Sequence, residues 1–293
     1  MNRRIKYLLH RNYVIAFLKL IRLRNLLIIV LMQYFTRIFI IGPKFEWKTL
    51  LFEPEIFFLT LATVLVAAAG YIVNDYYDIK IDMINKPKRV ILGRIISRRM
   101  GLVLQWTLAL LALIICLVKL SFNVALFVGF CSFLLWFYSN QLKRMVLWGN
   151  VTIAFLGFAS FFMLSLYYQR REELVMFFGI FAFLTTLIRE IIKDMEDVPG
   201  DQNFGCKTIP IVYGIPRTKL LLRFIISLTL ILISVSYVYI NKYLYLYFLL
   251  FTSLPMIYIL FSIIRSDKKE DFAALSKNMK LVMILGIFGM LLS

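Results

Sequence analysis

The sequence predicts an all-α, polytopic integral membrane protein, with about nine transmembrane helices bundled around a central apolar cavity. Of its 293 residues, 61% are hydrophobic, and the mean hydropathy is +0.83. Apolar runs long enough to cross a bilayer also recur along the chain. A soluble domain is usually about 45–50% apolar, so lipid rather than a soluble core must cover this much apolar surface. We predict one transmembrane domain over residues 1–293.

The candidate spans follow from the roughly 20 apolar residues that one crossing needs, with about 17 as the practical minimum. They cover residues 26–42, 56–73, 100–118, 120–139, 146–168, 174–191, 220–240, 243–264 and 278–293. The sixth and ninth have the shortest uncharged cores, and the ninth must include residues before Leu281. Residues 1–25 form a basic N-terminal segment, and within it 10–24 are expected to form an amphipathic helix at the membrane surface. No small-residue cleavage site follows the first apolar run, so no removable signal peptide is expected.

Charge distribution predicts the orientation of the chain. Most of the 34 Lys and Arg residues fall in the N-terminal segment and in the loops near 74–99, 140–145, 189–219 and 265–280. Nine alternating spans place all of these on one side, and the positive-inside rule assigns that side to the cytoplasm. We therefore expect a protein of the cell inner membrane whose site opens to the cytoplasm. The same asymmetry accounts for the net charge of +18, so nucleic acid is not expected as a partner.

Histidine and cysteine usage excludes several classes of chemistry. His10 is the only histidine, which excludes His-based triads, haem ligation and most zinc sites. The three cysteines show no CxxC spacing, so neither a disulfide framework nor a thiolate metal site is expected.

Half of the 16 acidic residues are concentrated in two short segments, one after the second span and one after the sixth. In the first, Asp75, Asp78 and Asp82 stand at positions i, i+3 and i+7, which share one face of a helix. The second repeats these offsets with three further aspartates, Asp194, Asp197 and Asp201. Pro199-Gly200 predicts a bend before the last of them, so we expect Asp201 to reach in from a loop.

Three carboxylates on one helix face repel one another, so we expect a cation between them to offset the repulsion. Ionisable groups at membrane depth usually mark a functional site, and the recurrence of identical offsets argues against the alternative that these are solvated acidic helix ends. Mg²⁺ suits such oxygen ligands, whereas no segment resembles a twelve-residue Ca²⁺ loop. Basic residues are interleaved with the acids or close the fourth span: Lys86, Arg89, Lys143, Arg189, Lys193 and Lys207. Each alone is equally explained as a topogenic charge, but together they suit a Mg²⁺-bound diphosphate.

The motifs resemble those of the UbiA-type intramembrane prenyltransferases. The first is Asn74-Asp75-x-x-Asp78-x-x-x-Asp82, followed by Asn85-Lys86-Pro87-x-Arg89. The second is Arg189-Glu190-x-x-Lys193-Asp194-x-Glu196-Asp197-x-x-Gly200-Asp201, followed by Gly205-x-Lys207-Thr208-x-Pro210. Tyr138-Ser139-x-x-Leu142-Lys143 matches the element after the fourth helix, and nine spans agree with the family's fold. One departure precedes the first span, where many members have Arg-Pro-x-Asn and this chain has Arg22-Leu23-Arg24-Asn25.

The resemblance implies a Mg²⁺-dependent enzyme that transfers a polyprenyl group from a prenyl diphosphate to an acceptor. It implies two Mg²⁺ ions held by Asp75, Asp78, Asp194 and Asp197, with Asp82 and Asp201 as further ligands or as partners that orient Lys and Arg. The residues implied at the diphosphate are Asn74, Lys86, Arg89, Lys143 and Lys193. Tyr138 would offer its ring to the allylic cation or its hydroxyl to the leaving group. Arg22 and Asn25 would lie towards the acceptor.

The acceptor remains open between two classes. The wording of both motifs is nearest to the branch that prenylates geranylgeranylglyceryl phosphate in ether-lipid synthesis. Branches with aromatic acceptors, such as 4-hydroxybenzoate or homogentisate, are the alternative. An intramembrane terpene cyclase and a secondary transporter are remoter readings, and the transporter is disfavoured because the acids lie at span ends. The motifs encode neither the length of the donor nor the oligomeric state.

Overall fold

The computed structural model describes residues 13–169 and 173–293. Within this part of the chain, nine helices are long and apolar enough to cross a membrane. They are α1 (Leu23–Ile41), α2 (Pro54–Asn85), α3 (Arg98–Lys119), α4 (Phe122–Asn140), α5 (Trp148–Tyr168), α6 (Glu173–Asn203), α7 (Ile209–Val238), α8 (Lys242–Arg265) and α9 (Lys269–Leu292). The predicted all-α membrane fold and its nine spans are confirmed, and the central cavity stays a prediction.

Two helices extend well beyond the apolar runs that predicted them. The second span was expected to end near residue 73, yet α2 continues to Asn85. The sixth was expected to end near residue 191, yet α6 continues to Asn203. Both extensions carry the aspartate segments, so the acids lie on the last turns of membrane helices.

Helix boundaries follow from capping residues and glycine. The hydroxyls of Ser97 and Ser121 accept hydrogen bonds from the backbone N–H groups of Met100 and Val124, at 3.2 and 3.3 Å. These caps satisfy donors that the first turns of α3 and α4 leave without an intrahelical partner. α7 begins at Ile209 rather than near residue 220, and it is broken at Gly214, whose φ of 80° suits glycine.

The described residues form two compact units, and the first comprises residues 13–30 and 58–141. Its core packs residues 16–26 against α2, through Leu20 and Leu26 on one side and Ala68 and Ile72 on the other. Residues 13–20 are helical and residues 21–22 form a turn, so this helix ends before the predicted bound at residue 24; residues 10–12 lie outside the described residues, and the position at the membrane surface stays a prediction.

The second unit comprises residues 31–57, 142–169 and 173–293 and is organised around α6. The helices α5, α7 and α9 all pack against it. Glycine permits two of these approaches: a Cβ at Gly157 would lie 3.3 Å from Thr186 Oγ1, and one at Gly286 would clash with the Phe181 ring. The prediction of a single domain over residues 1–293 stays a prediction.

Candidate active site

The first aspartate segment forms the C-terminal turns of α2. Asp75, Asp78 and Asp82 lie on one uninterrupted helix, which confirms their predicted common face. All three are partly buried, and so is Asn74 beside them. We call these three aspartates the first trio.

Arg22 forms an ion pair with the first trio. Its Nη2 atom lies 2.7 Å from Asp75 Oδ1, and its guanidinium stacks 4.8 Å above the Tyr71 ring centroid. Burial lowers the pKa of Arg22, but the charges around it, Asp75 first, raise the pKa above its ordinary value. Arg22 was predicted to lie towards the acceptor, whereas the structure places it against a predicted metal ligand. Asn25 is partly buried in the first turn of α1, and its role stays a prediction.

The backbone of Arg22 adopts a conformation that is uncommon for a residue with a side chain. Its φ is 52°, in the left-handed region. Its carbonyl oxygen accepts from the Asn25 N–H at 2.7 Å, which begins α1. A proline at position 23 would push the preceding residue towards extended conformations. The departure at Leu23 therefore leaves Arg22 free to take this turn.

The basic residues after the first trio lie where α2 ends. The Lys86 N–H donates to the Asp82 carbonyl at 2.8 Å, and its side chain is partly buried. Arg89 closes the short turn Pro87–Arg89 and is exposed. Arg98, which the motifs do not include, stacks its guanidinium 5.0 Å from the Tyr76 ring centroid. Diphosphate binding by Lys86 and Arg89 stays a prediction.

The second aspartate segment forms the C-terminal turns of α6. The expectation that Asp201 reaches in from a loop is wrong, because α6 continues through Pro199 to Asn203. Proline removes one i→i−4 hydrogen bond, and near a helix end this loss does not stop the helix. Asp194, Asp197 and Asp201 therefore share one continuous helix at i, i+3 and i+7; we call them the second trio.

Asn150 fixes Asp194 from the neighbouring helix. Its Nδ2 atom donates to Asp194 Oδ2 at 2.8 Å, and the residue is buried in the first turn of α5. Gly149 lets this turn approach the loop before it, since a Cβ there would lie 2.8 Å from the Lys143 Cα. Sequence reasoning missed Asn150 because a single asparagine at the start of a span shows no pattern.

The loop that carries Lys143 contacts the segment that follows α6. It forms the turn Leu142–Arg144, and the Arg144 carbonyl accepts from the Lys207 N–H at 2.9 Å. The segments after α4 and after α6 are thus tied together. Tyr138 lies partly buried in the last turns of α4, and its role and that of Lys143 stay predictions.

Glu190 gathers the basic residues that precede the second trio. The carboxylate is buried, and its two oxygens accept from Arg189 Nη1 at 2.9 Å and from Lys193 Nζ at 2.8 Å. Lys193, predicted to bind diphosphate, is therefore held by an acid one turn earlier. Arg189 Nε is buried and has no hydrogen-bond partner in the described part of the chain, so a buried donor remains for an anionic oxygen.

The donor set of each trio fits Mg²⁺, although the described residues show no preformed metal cage. No group of three or more His, Cys, Asp or Glu residues converges within residues 13–169 and 173–293. Partly buried carboxylates are nevertheless the hard oxygen ligands that Mg²⁺ takes together with water and substrate phosphates. The six predicted ligands stay predictions, and so does the binding of one diphosphate by both trios.

A family model decides what kind of protein carries these trios. The model of the UbiA prenyltransferase family matches residues 40–284. The chain belongs to the UbiA prenyltransferase family. This member is therefore an integral membrane prenyltransferase, as its motifs predicted.

Relatives and solved structures agree with this membership. The digeranylgeranylglyceryl phosphate synthase of Korarchaeum cryptofilum is 32% identical over 267 residues, which cover 86% of this chain and 91% of that protein. A solved structure concerning digeranylgeranylglyceryl phosphate synthase in membranes has a TM-score of 0.70 at 22% identity, covering 94% of this prenyltransferase and 96% of that chain. A UbiA homologue from Archaeoglobus fulgidus bound to GPP and Mg²⁺ has a TM-score of 0.66 at 14% identity, covering 94% and 99%. The two structures show the shared fold, and the named synthase belongs to the branch that the motif wording predicted.

Proposed function

We propose that this prenyltransferase transfers a polyprenyl group from a prenyl diphosphate to a glyceryl-phosphate lipid resembling geranylgeranylglyceryl phosphate. The observation that carries the acceptor is the digeranylgeranylglyceryl phosphate synthase that is 32% identical to this chain over 86% of its length. The relative with GPP and Mg²⁺ bound supports the donor and the metal. The reaction would make a second ether link of an isoprenoid membrane lipid.

The two trios supply the metal ligands in this proposal. Asp75, Asp78, Asp194 and Asp197 would hold two Mg²⁺ ions, and Asp82 and Asp201 would add ligands or orient neighbouring cations. When bound, Mg²⁺ neutralises diphosphate oxygens as the allylic C1–O bond breaks. The protein's own task is to hold carboxylates at membrane depth, where an apolar surrounding keeps water from the reactive carbon.

Basic residues bind the departing diphosphate in the same proposal. They are Lys86, Arg89, Lys143 and Lys193, with Asn74 as a further donor. Lysine and arginine stabilise charge that grows on the leaving group, which is the main source of such catalysis. The ring of Tyr138 would face the positive carbon that remains, or its hydroxyl would face the leaving group. The excess of basic residues in the loops that hold these groups supports a cytoplasmic site in the inner membrane.

Product analysis tests the proposal most directly. Purified protein in lipid nanodiscs is incubated with Mg²⁺, geranylgeranyl diphosphate and one acceptor at a time. The acceptors are geranylgeranylglyceryl phosphate, the same ether without phosphate, 4-hydroxybenzoate and homogentisate. Mass spectrometry should find the prenylated glyceryl phosphate together with released pyrophosphate.

Three other outcomes would contradict the proposal. A prenylated aromatic acid would replace the lipid acceptor with an aromatic one. A cyclic hydrocarbon formed without acceptor would identify a terpene cyclase. Undiminished turnover in EDTA would contradict the metal mechanism altogether.

A further inference from the structure

Arg22 is held against the first trio by three separate features. Its Nη2 atom lies 2.7 Å from Asp75 Oδ1. Its guanidinium lies 4.8 Å from the ring of Tyr71, one turn before Asp75 on α2. The segment that carries it packs on the same helix, since Leu20 and Ile21 join Ala68 and Ile72 in one buried cluster.

The backbone at Arg22 supports the same conclusion. A φ of 52° is uncommon for a residue other than glycine, and such a conformation persists where the surroundings over-determine it. Here the turn joins the N-terminal helical residues to α1 and aims the side chain at α2. The ion pair is also partly exposed, with 39% of the Arg22 side chain accessible, so the guanidinium has room to leave.

We propose that Arg22 is a positioning residue that acts through Asp75. Arg22 serves as the counter-ion of the Asp75 carboxylate in the free enzyme. When Mg²⁺ and a diphosphate bind, its guanidinium releases this carboxylate. The inference rests on the proposed function, in which Asp75 is a metal ligand. It assigns to Arg22 a role in metal loading that the acceptor-binding prediction did not contain.

Electrostatics favours this exchange. A guanidinium stays protonated at any physiological pH, so it cannot lose its charge to make way for a metal ion. A cation 2.7 Å from a carboxylate oxygen repels a divalent ion that binds the same group. The repulsion falls when a diphosphate arrives, because its oxygens provide an anion for the displaced guanidinium. Metal binding should therefore be weak in the absence of diphosphate and tight in its presence.

Binding of Mn²⁺, a spectroscopic substitute for Mg²⁺, tests this without turnover. Electron paramagnetic resonance measures the Mn²⁺ affinity of the protein in nanodiscs, first alone and then with inorganic pyrophosphate. Arg22→Gln should bind Mn²⁺ alone more tightly, by about tenfold, the order expected when one positive charge is removed near a divalent ion at a partly exposed site. The gain should shrink when pyrophosphate is present.

Three further variants make the result decisive. Arg22→Gly removes the same charge and suits the left-handed backbone, so it should show the same gain even if the glutamine variant folds poorly. Arg24→Gln removes an equal charge from an exposed neighbour and should leave Mn²⁺ affinity unchanged. Asp75→Asn should weaken Mn²⁺ binding.

The outcomes separate this inference from the proposed function. Equal or weaker Mn²⁺ binding in both Arg22 variants, with weaker binding in Asp75→Asn, overturns the counter-ion role alone. A gain in Arg24→Gln as large as in the Arg22 variants would show a general charge effect and also overturn it. Unchanged binding in Asp75→Asn removes Asp75 from the metal site and overturns both.

Discussion

The two trios share one spacing but have different electrostatic surroundings. Asp75 of the first trio meets a cation directly, because Arg22 bonds to it at 2.7 Å. Asp194 of the second trio instead receives a neutral amide hydrogen bond from Asn150 at 2.8 Å. Near Asp194, the cations Arg189 and Lys193 bond to Glu190, one turn earlier on α6.

Equal spacing need not give the two trios equal metal affinity. A neutral donor orients a carboxylate and leaves its negative charge available to a cation. A guanidinium orients it too, but it also cancels the charge. We therefore expect Asp194 to hold metal more readily than Asp75 in the free enzyme.

The largest effect is expected from Asp194→Asn. Replacing a ligand that binds through its charge should lower turnover by about 10³-fold, the order seen when a group that stabilises developing charge is removed. Pyrophosphate release measures this on protein shown to be folded by size-exclusion chromatography. Asp267→Asn is the control, since Asp267 is an exposed acid paired with Lys219. Full activity in Asp194→Asn would remove the second trio from the chemistry.

Asn150→Leu should have the next largest effect. It keeps the helix but removes the amide that orients Asp194, and losing a partner of a metal ligand typically costs about 10- to 100-fold in metal affinity or activity. The Mg²⁺ concentration for half-maximal turnover should rise accordingly. Thr152→Val is a matched control on the same helix, because the Thr152 hydroxyl bonds only one turn back, to the Trp148 carbonyl. An unchanged Mg²⁺ requirement would mean that Asp194 needs no orienting partner.

The spans and the trios were predictable because both depend on local patterns. Apolar runs fix where helices cross the bilayer, and offsets of three and seven residues place carboxylates on one face. The wrong prediction that Asp201 lies on a loop also rested on a local pattern, the Pro199-Gly200 pair. Pro199 lies close to the end of α6, where the lost hydrogen bond does not break the helix.

The partners of the trios depend on tertiary packing, and no local pattern indicates them. Arg22 and Asp75 are 53 positions apart, and Asn150 and Asp194 are 44 apart. The second contact requires α5 and α6 to pack closely, which Gly157 permits against Thr186. The first depends on a left-handed turn at Arg22, a residue that the motif singled out but did not pair with Asp75.

Glu190→Gln should change stability more than chemistry. The variant leaves Arg189 and Lys193 without their shared acid in a buried setting, which costs about 1–3 kcal/mol for an unsatisfied buried group. Turnover should fall less than in Asn150→Leu, because Glu190 is not proposed to hold metal. A lower apparent melting temperature in nanodiscs measures the first effect. Glu196→Gln, an acid on the same helix without an ion pair in the described residues, should melt like the wild type.

A charge pair elsewhere in the second unit should have the smallest effect on turnover. Arg37 lies within α1, where ionisable groups are functional by default. Here, however, its Nε and Nη2 atoms bond both oxygens of Glu53, at 2.7 and 3.1 Å, and the Tyr168 ring lies 4.3 Å from its guanidinium carbon. This pair is already neutralised, whereas the trios carry an excess of negative charge. We infer that it stabilises the fold and takes no part in the chemistry.

Variants of Arg37 and Glu53 distinguish a role in stability from a role in the chemistry. Arg37→Met alone leaves the Glu53 carboxylate, whose side chain is only 19% exposed, without its cation. Breaking a buried pair in this way costs about 3–5 kcal/mol, so thermal inactivation should be faster, while folded protein keeps wild-type turnover. The double variant Arg37→Met with Glu53→Gln removes both charges and should recover much of the lost stability. If turnover fell in the double variant as well, with stability restored, the pair would belong to the functional machinery and the contrast with the trios would fail.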